Sequence, residues 1–421
     1  MISRPMALTR RGLVSAALQA TAITALTPLA IRGQEATPES KQREASPVAS
    51  PQATPAAGAV GGLAEMLALA PDVLAQPDHP LHLAQFGDVA AQLAAVGKKQ
   101  PTSTEDPAMD GWIPSIQWIT LPQSVTTRGI QPEFRELFGF DLFQVDQGLM
   151  LGEPPNLLTY VRGRFDENEL RAAWTGAGYR ELDVDGIAVF SLAEGPEMDM
   201  DNPVNQMVLA QFNNATILAD GALVFASSLD LIRGVLAVAT GQASSLAEND
   251  QVAALLSTVD QPLAAALLMD GESLAGGMIF DPRMTPEQIE QLQEDVAQSG
   301  EMPPAKLALF GVTPGGPISA PPDQPDATPV AADNPAIWVI RLLMASAASA
   351  ETAAVTIPNR IATLNSLVRH QPYADMVTVR RSEALADPPA VALDLEFNVD
   401  EVLPALWYQA IVNRDVLFLA S

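Results

Sequence analysis

Three histidines, His79, His82 and His370, are the only imidazoles in a chain of 421 residues. Two of them lie three apart in "HPLH", a spacing that lets two ring nitrogens meet at one metal ion, with Asp78 or Asp88 as an oxygen donor. Pro80 stands between them and no third ligand is marked, so a turn or surface pair is the expected role. Ser273, in "GESLAG", is the nearest candidate for a nucleophile. It lacks the glycine two positions on that lets a nucleophile elbow turn sharply. His370 is the only base downstream and no acid is marked to orient it, so Ser273 reads as lining or capping a helix start. With no cysteine anywhere, thiol nucleophiles, thiolate metal sites and disulfides are excluded.

The turn "EGPEMDMDNP" (194–203) brings Glu197, Asp199, Asp201 and Asn202 close together. Hard oxygen ligands at alternate positions suit calcium, but the glycine and distal glutamate of an EF-hand loop are missing, so a solvated loop is expected. Trp112 and Trp118 in "DGWIPSIQWITLP" could share one face of an extended segment as a sugar-stacking platform, or could pack in a core. Aromatic residues are only 5% of the chain, and no carboxylate pair stands out among fifty acids for glycoside chemistry. There is no phosphate-binding loop, no dinucleotide fingerprint and no heptad seam. The sequence therefore nominates no catalytic, cofactor-binding or metal-ligating residue, and leans away from an enzyme.

What must position any site begins with an address. Arg10 and Arg11 stand together in "LTRRGLVSAALQATAITALTPLAI", followed by an uncharged, mildly apolar stretch from Gly12 to Ala30. A basic start, an uncharged middle and small residues near its end describe a removable export signal, and the paired arginines point to the twin-arginine route for proteins exported folded. Residues 1–33 are assigned to that signal. A lipid-anchored product would need a cysteine just after it, so the mature chain is expected outside the cell or in the envelope, without an anchor.

The first 33 residues hold four arginines and no acid, which leaves nineteen Lys and Arg against fifty Asp and Glu, a net of -31. Nucleic acid and anionic lipid would repel such a chain, because phosphate binding rests on clustered Lys and Arg. At 48% hydrophobic residues it can bury a large core, and its size favours two domains or two packed halves.

Residues 34–62, rich in Pro, Ala and Thr and without aromatics, read as a disordered spacer. A stretch with seven prolines, 313–335, lies between strand-like "KLALFGV" and "AIWVIRLLMA" and reads as an exposed excursion between strands. Asp166 and Thr285 head helices with capping residues three positions on, and Asp185-Gly186 and Asp220-Gly221 mark hairpins. Helices interspersed with antiparallel hairpins predict an α+β fold. Three matches recur in order, about 180–195 residues apart: "PLHLAQFGDVAAQLA" with "PLAAALLMDGESLAG", "MVLAQFNN" with "ALDLEFNV", and "ADGALVFAS" with the terminal "NRDVLFLAS". They suggest a duplicated unit, with a first α+β unit over 63–250 and a second over 251–421 that ends in a paired strand.

The signal, the spacer "EATPESKQREASPVASPQATPA" and the run "LLTYVRGRFDENELRAAWTGAGYRELDVDGIAVFSL" together resemble exported bacterial envelope proteins of unassigned activity. The last of these is also similar to repeats in secreted or lipid-anchored actinobacterial-type proteins. The resemblance implies location and architecture, and no catalytic motif. The expected function is an exported, soluble, non-catalytic protein that binds another protein or a small molecule, after meeting the export machinery through its signal. The alternatives are a secreted hydrolase using carboxylates or serine, and a calcium-stabilised envelope structural protein.

Overall fold

The computed structural model of the chain describes residues 61–75, 83–271, 274, 285–316, 335–398 and 405–421. The signal with Arg10 and Arg11, the spacer up to residue 60, Asp78, His79, His82, Ser273 and most of the proline-rich stretch lie outside the described residues.

The fold is α+β, built on one antiparallel sheet whose strands are β1 (Ala84–Asp88), β2 (Val145–Glu153), β3 (Asn156–Gly163), β4 (Arg180–Val184), β5 (Ile187–Ser191), β6 (Asn214–Ile217), β7 (Leu223–Ala226), β8 (Ala265–Asp270), β9 (Ala305–Val312), β10 (Ile337–Met344), β11 (Val377–Ala386) and β12 (Pro389–Phe397). They lie in the order β11-β12-β10-β9-β8-β1-β2-β3-β7-β6-β5-β4. Both faces are covered. Side chains alternate between two cores, so Val339 and Leu343 of β10 enter one and Trp338, Ile340 and Leu342 enter the other. Helices Gly61–Leu67, Leu229–Ala239 and Asp250–Leu256 cover the first face, and most of the remaining described helices cover the second. Burial on both sides is why β8, β9 and β10 read as nearly unbroken apolar runs.

The two expected units are joined without a gap, because β1 and β8 pair at the middle of the sheet. Outward from that seam the order is β1-β2-β3-β7-β6 on one side and β8-β9-β10-β12-β11 on the other, with hairpin β4–β5 extending the first. The first of the three sequence matches falls on β1 and β8. It aligns Gln85 with Leu267, and these two residues face each other across the seam. The other matches fall on unlike elements. "MVLAQFNN" runs from a helix into β6 while "ALDLEFNV" lies largely in β12; "ADGALVFAS" holds β7 while the last residues form a 3-10 turn, Leu417–Leu419, and no strand. Side chains capture the backbone there: Tyr373 Oη accepts from Leu417 N at 3.3 Å, and Arg360 donates to the Ala420 carbonyl.

Local signals are realised in detail. Asp166 accepts from Asn168 N and Glu169 N to start helix Glu167–Gly176. Thr285 and Gln288 form a reciprocal capping box. Asp185 and Gly186 turn β4 into β5 with φ of 54° and 84°. The helix Gly61–Leu67 starts two residues inside the expected spacer. Gly62 is there for close approach, since a Cβ would sit 2.7 Å from Gln147 Nε2 and 2.8 Å from Asp88 Oδ2.

Candidate interaction surface

Between β5 and β6 the chain leaves the sheet for residues 192–213, which include the acidic turn. Two buried asparagines fix the path of this excursion. Asn213, fully buried, donates from Nδ2 to the carbonyls of Gly195 (3.0 Å) and Glu197 (2.8 Å). Its Oδ1 accepts from Asn205 Nδ2 at 2.8 Å. Asn205 in turn donates to the Leu209 carbonyl at 3.1 Å and accepts from Asp199 N at 2.7 Å. Gln206 Nε2 adds a bond to the Met200 carbonyl at 2.8 Å, and Leu229 N one to Glu194 at 2.7 Å. Each such bond is worth about 1 kcal/mol net, and together they hold backbone groups on both limbs of the loop.

With the backbone pinned inward, side chains are displayed outward. Met198, Met200 and Leu209 are 59%, 54% and 46% exposed, and they are three of the five large apolar side chains exposed among the described residues. Leu209 is held at φ 58° and ψ -148°, a conformation that costs a non-glycine residue roughly 1–3 kcal/mol. Acids interleave with the methionines in the order Glu197-Met198-Asp199-Met200-Asp201. From Ala177 to Asp201, Arg180 is the single base against seven acids. The loop adjoins the start of edge strand β4, since Asn202 Nδ2 lies 4.0 Å from where a Cβ on Gly178 would be.

Two of the four residues that suggested calcium, Asp199 and Asn202, commit side-chain oxygens to the loop itself. Asn202 Oδ1 caps helix Pro203–Val208 by accepting from Val204 N at 2.8 Å, and Asp199 Oδ1 accepts from Asp201 N at 3.0 Å. Among the described residues no group of three or more His, Asp or Glu side chains is placed to hold a metal ion. The asparagines at 205 and 213 carried no local signal, because each acts on backbone several residues away.

The other candidates are built into the scaffold. Asp88 ends β1 and caps helix Val89–Ala95, accepting from Ala91 N at 2.7 Å and from Gln147 Nε2 at 2.6 Å. Burial pushes its carboxyl above the ordinary value, and the charges of Asp146 and Glu65 push the same way while its two hydrogen bonds oppose them. Trp112 and Trp118 are buried, so they pack in the core and present no stacking platform. His370 is exposed in a turn at φ 57°. Ser366 donates to buried Asp415, which also accepts from Leu367 N and Tyr373 Oη at 2.8 Å each. Burial, with Asp415 beside it, drives the Tyr373 phenol well above its usual range. Arg341, fully buried on β10, bonds Asp394 at 2.7 Å, Asp260 at 3.5 Å and the Thr258 carbonyl at 3.0 Å.

The chain matches no family model and no curated protein sequence. A solved structure titled "Structure of crystal form IV of TP0453" is similar over 82% of this chain and 98% of its own, at 7% identity and a TM-score of 0.35, too loose a likeness to carry an argument. No helix among the described residues is long and apolar enough to cross a membrane.

Proposed function

We propose that the chain is an exported, non-catalytic interaction protein of the bacterial envelope or exterior, with residues 1–33 as a twin-arginine signal and two duplicated α+β halves as its body. One observation carries the reading: a preformed loop spends two buried asparagines and a strained leucine to hold Met198, Met200 and Leu209 in solvent. Apolar side chains gathered in solvent mark interaction sites, and these three lie on one excursion of the chain between β5 and β6. The buried polar clusters around Asp415 and Arg341 are satisfied from within the chain, which suits a scaffold better than a reaction centre.

The test is purification from culture fluid of wild type and of the double variant Met198→Ser, Met200→Ser, with mass spectrometry of the N-terminus and of what co-purifies. The expected result is a protein shortened near residue 33 with a partner that the double variant loses while its melting temperature holds. Recovery only from the cytosol with Met1 in place, or a partner list that the double variant leaves unchanged, overturns the reading.

A further inference from the structure

We infer that the partner at this loop is an extended segment of another protein in which Lys or Arg alternates with apolar residues, an inference that rests on the interaction reading above. The argument is charge complementarity at single-residue resolution. Glu197, Asp199 and Asp201 alternate with Met198 and Met200 along the chain, so a segment laid along the loop meets carboxylates as well as thioethers. Desolvating those carboxylates is unfavourable unless each gains a cation.

Competing occupants fail on the same ground. A membrane that took up the two methionines would draw three carboxylates toward hydrocarbon, at several kcal/mol in all. A second copy of the mature chain brings the same net of -31 and the same acidic rim. Nucleic acid is polyanionic. A basic-apolar strand instead offers Lys or Arg to the acids and aliphatic carbons to the methionines, whose flexible thioethers adapt to irregular partners. Because Asn205 and Asn213 have already ordered the loop, the ordering cost of binding falls on the partner alone.

The experiment titrates the mature chain with three short peptides: one alternating Arg and Leu, one alternating Glu and Leu, and one alternating Arg and Ser. The Arg/Leu peptide is expected to bind best. Its affinity should fall at least tenfold with Met198→Ser, Met200→Ser, and again with Asp199→Asn, Asp201→Asn, while melting stays unchanged. Equal binding of all three peptides, or equal binding of Arg/Leu by wild type and both variants, overturns the inference as mere polyanion behaviour. A photoreactive residue in place of Met198, used in the native culture, separates the two levels. An adduct to a segment bearing Lys or Arg supports this inference; an adduct to an acidic or uncharged segment overturns it and leaves the interaction reading standing. Absence of any adduct at position 198 removes both.

Discussion

Gly87 on β1 stands directly opposite Gly148 on β2, and the pair forms a notch in the sheet through which residues 119–122 pass. A Cβ on Gly87 would lie 2.8 Å from Ile119 Cγ2, and one on Gly148 would lie 2.6 Å from Pro122 Cδ. Replacing either by alanine should destabilise the fold by about 1–3 kcal/mol, measured by denaturant unfolding. Gly234, inside helix Leu229–Ala239 with nothing closer than 3.9 Å to its would-be Cβ, should respond with the opposite sign. Gly234→Ala is expected to stabilise by about 0.5–1 kcal/mol, and equal effects at all three positions would contradict the notch.

Asp394 neutralises an arginine that has no solvent. Arg341 is fully buried, and its other acid, Asp260, is 60% exposed and also serves Arg381. Asp394→Ala should therefore cost about 3–5 kcal/mol by leaving a buried cation half-paired. The double change Arg341→Met, Asp394→Leu should recover most of that loss in the same unfolding assay.

Asp88 gives a pH signature. Its folded carboxyl titrates above the unfolded one because burial disfavours the charge. Folding therefore favours the protonated form, and the contribution of this residue to stability declines as pH rises above the ordinary carboxylate range. Asp88→Asn keeps an oxygen for Ala91 N, removes the charge, and turns an amide NH2 toward Gln147, whose own amide flips to accept it. The variant should melt higher than wild type at pH 7, and the gap should narrow toward pH 4. A gap that widens on acidification would contradict the assignment.

The phenol of Tyr373 works in two directions, donating to Asp415 and accepting from Leu417 N. Tyr373→Phe strips a partner from each inside a buried cluster, at about 1–3 kcal/mol in thermal unfolding. Asn365→Ala, at an exposed neighbouring position, should change little.

Much of the scaffold was legible in the chain. Asp166 and Thr285 specify their caps through side chains acting within three residues, and Asp185-Gly186 and Asp220-Gly221 their turns through positive-φ backbone, all within the range over which local patterns speak. The terminal run "VLFLA" has strand composition and still becomes a 3-10 turn, because Tyr373 and Arg360, far away in sequence, take its backbone groups. The candidate surface was half visible. The acids of 197–201 stood out, but the role of Asn205 and Asn213 depends on where the loop returns, and the exposure of Met198 and Met200 depends on it too. Trp112 and Trp118 show the same limit, since spacing alone does not distinguish a displayed aromatic from a packed one.

The β1–β8 seam has a consequence for biogenesis. Each half ends there in a strand whose outer row of hydrogen-bonding groups is met only by the other half, so an isolated half would carry a raw, aggregation-prone margin. A nascent chain has to keep β1 protected until β8 has emerged from the ribosome, and such long-range pairing forms slowly. The sheet is therefore complete only once strands from the two halves of the chain's described body have met at this one seam.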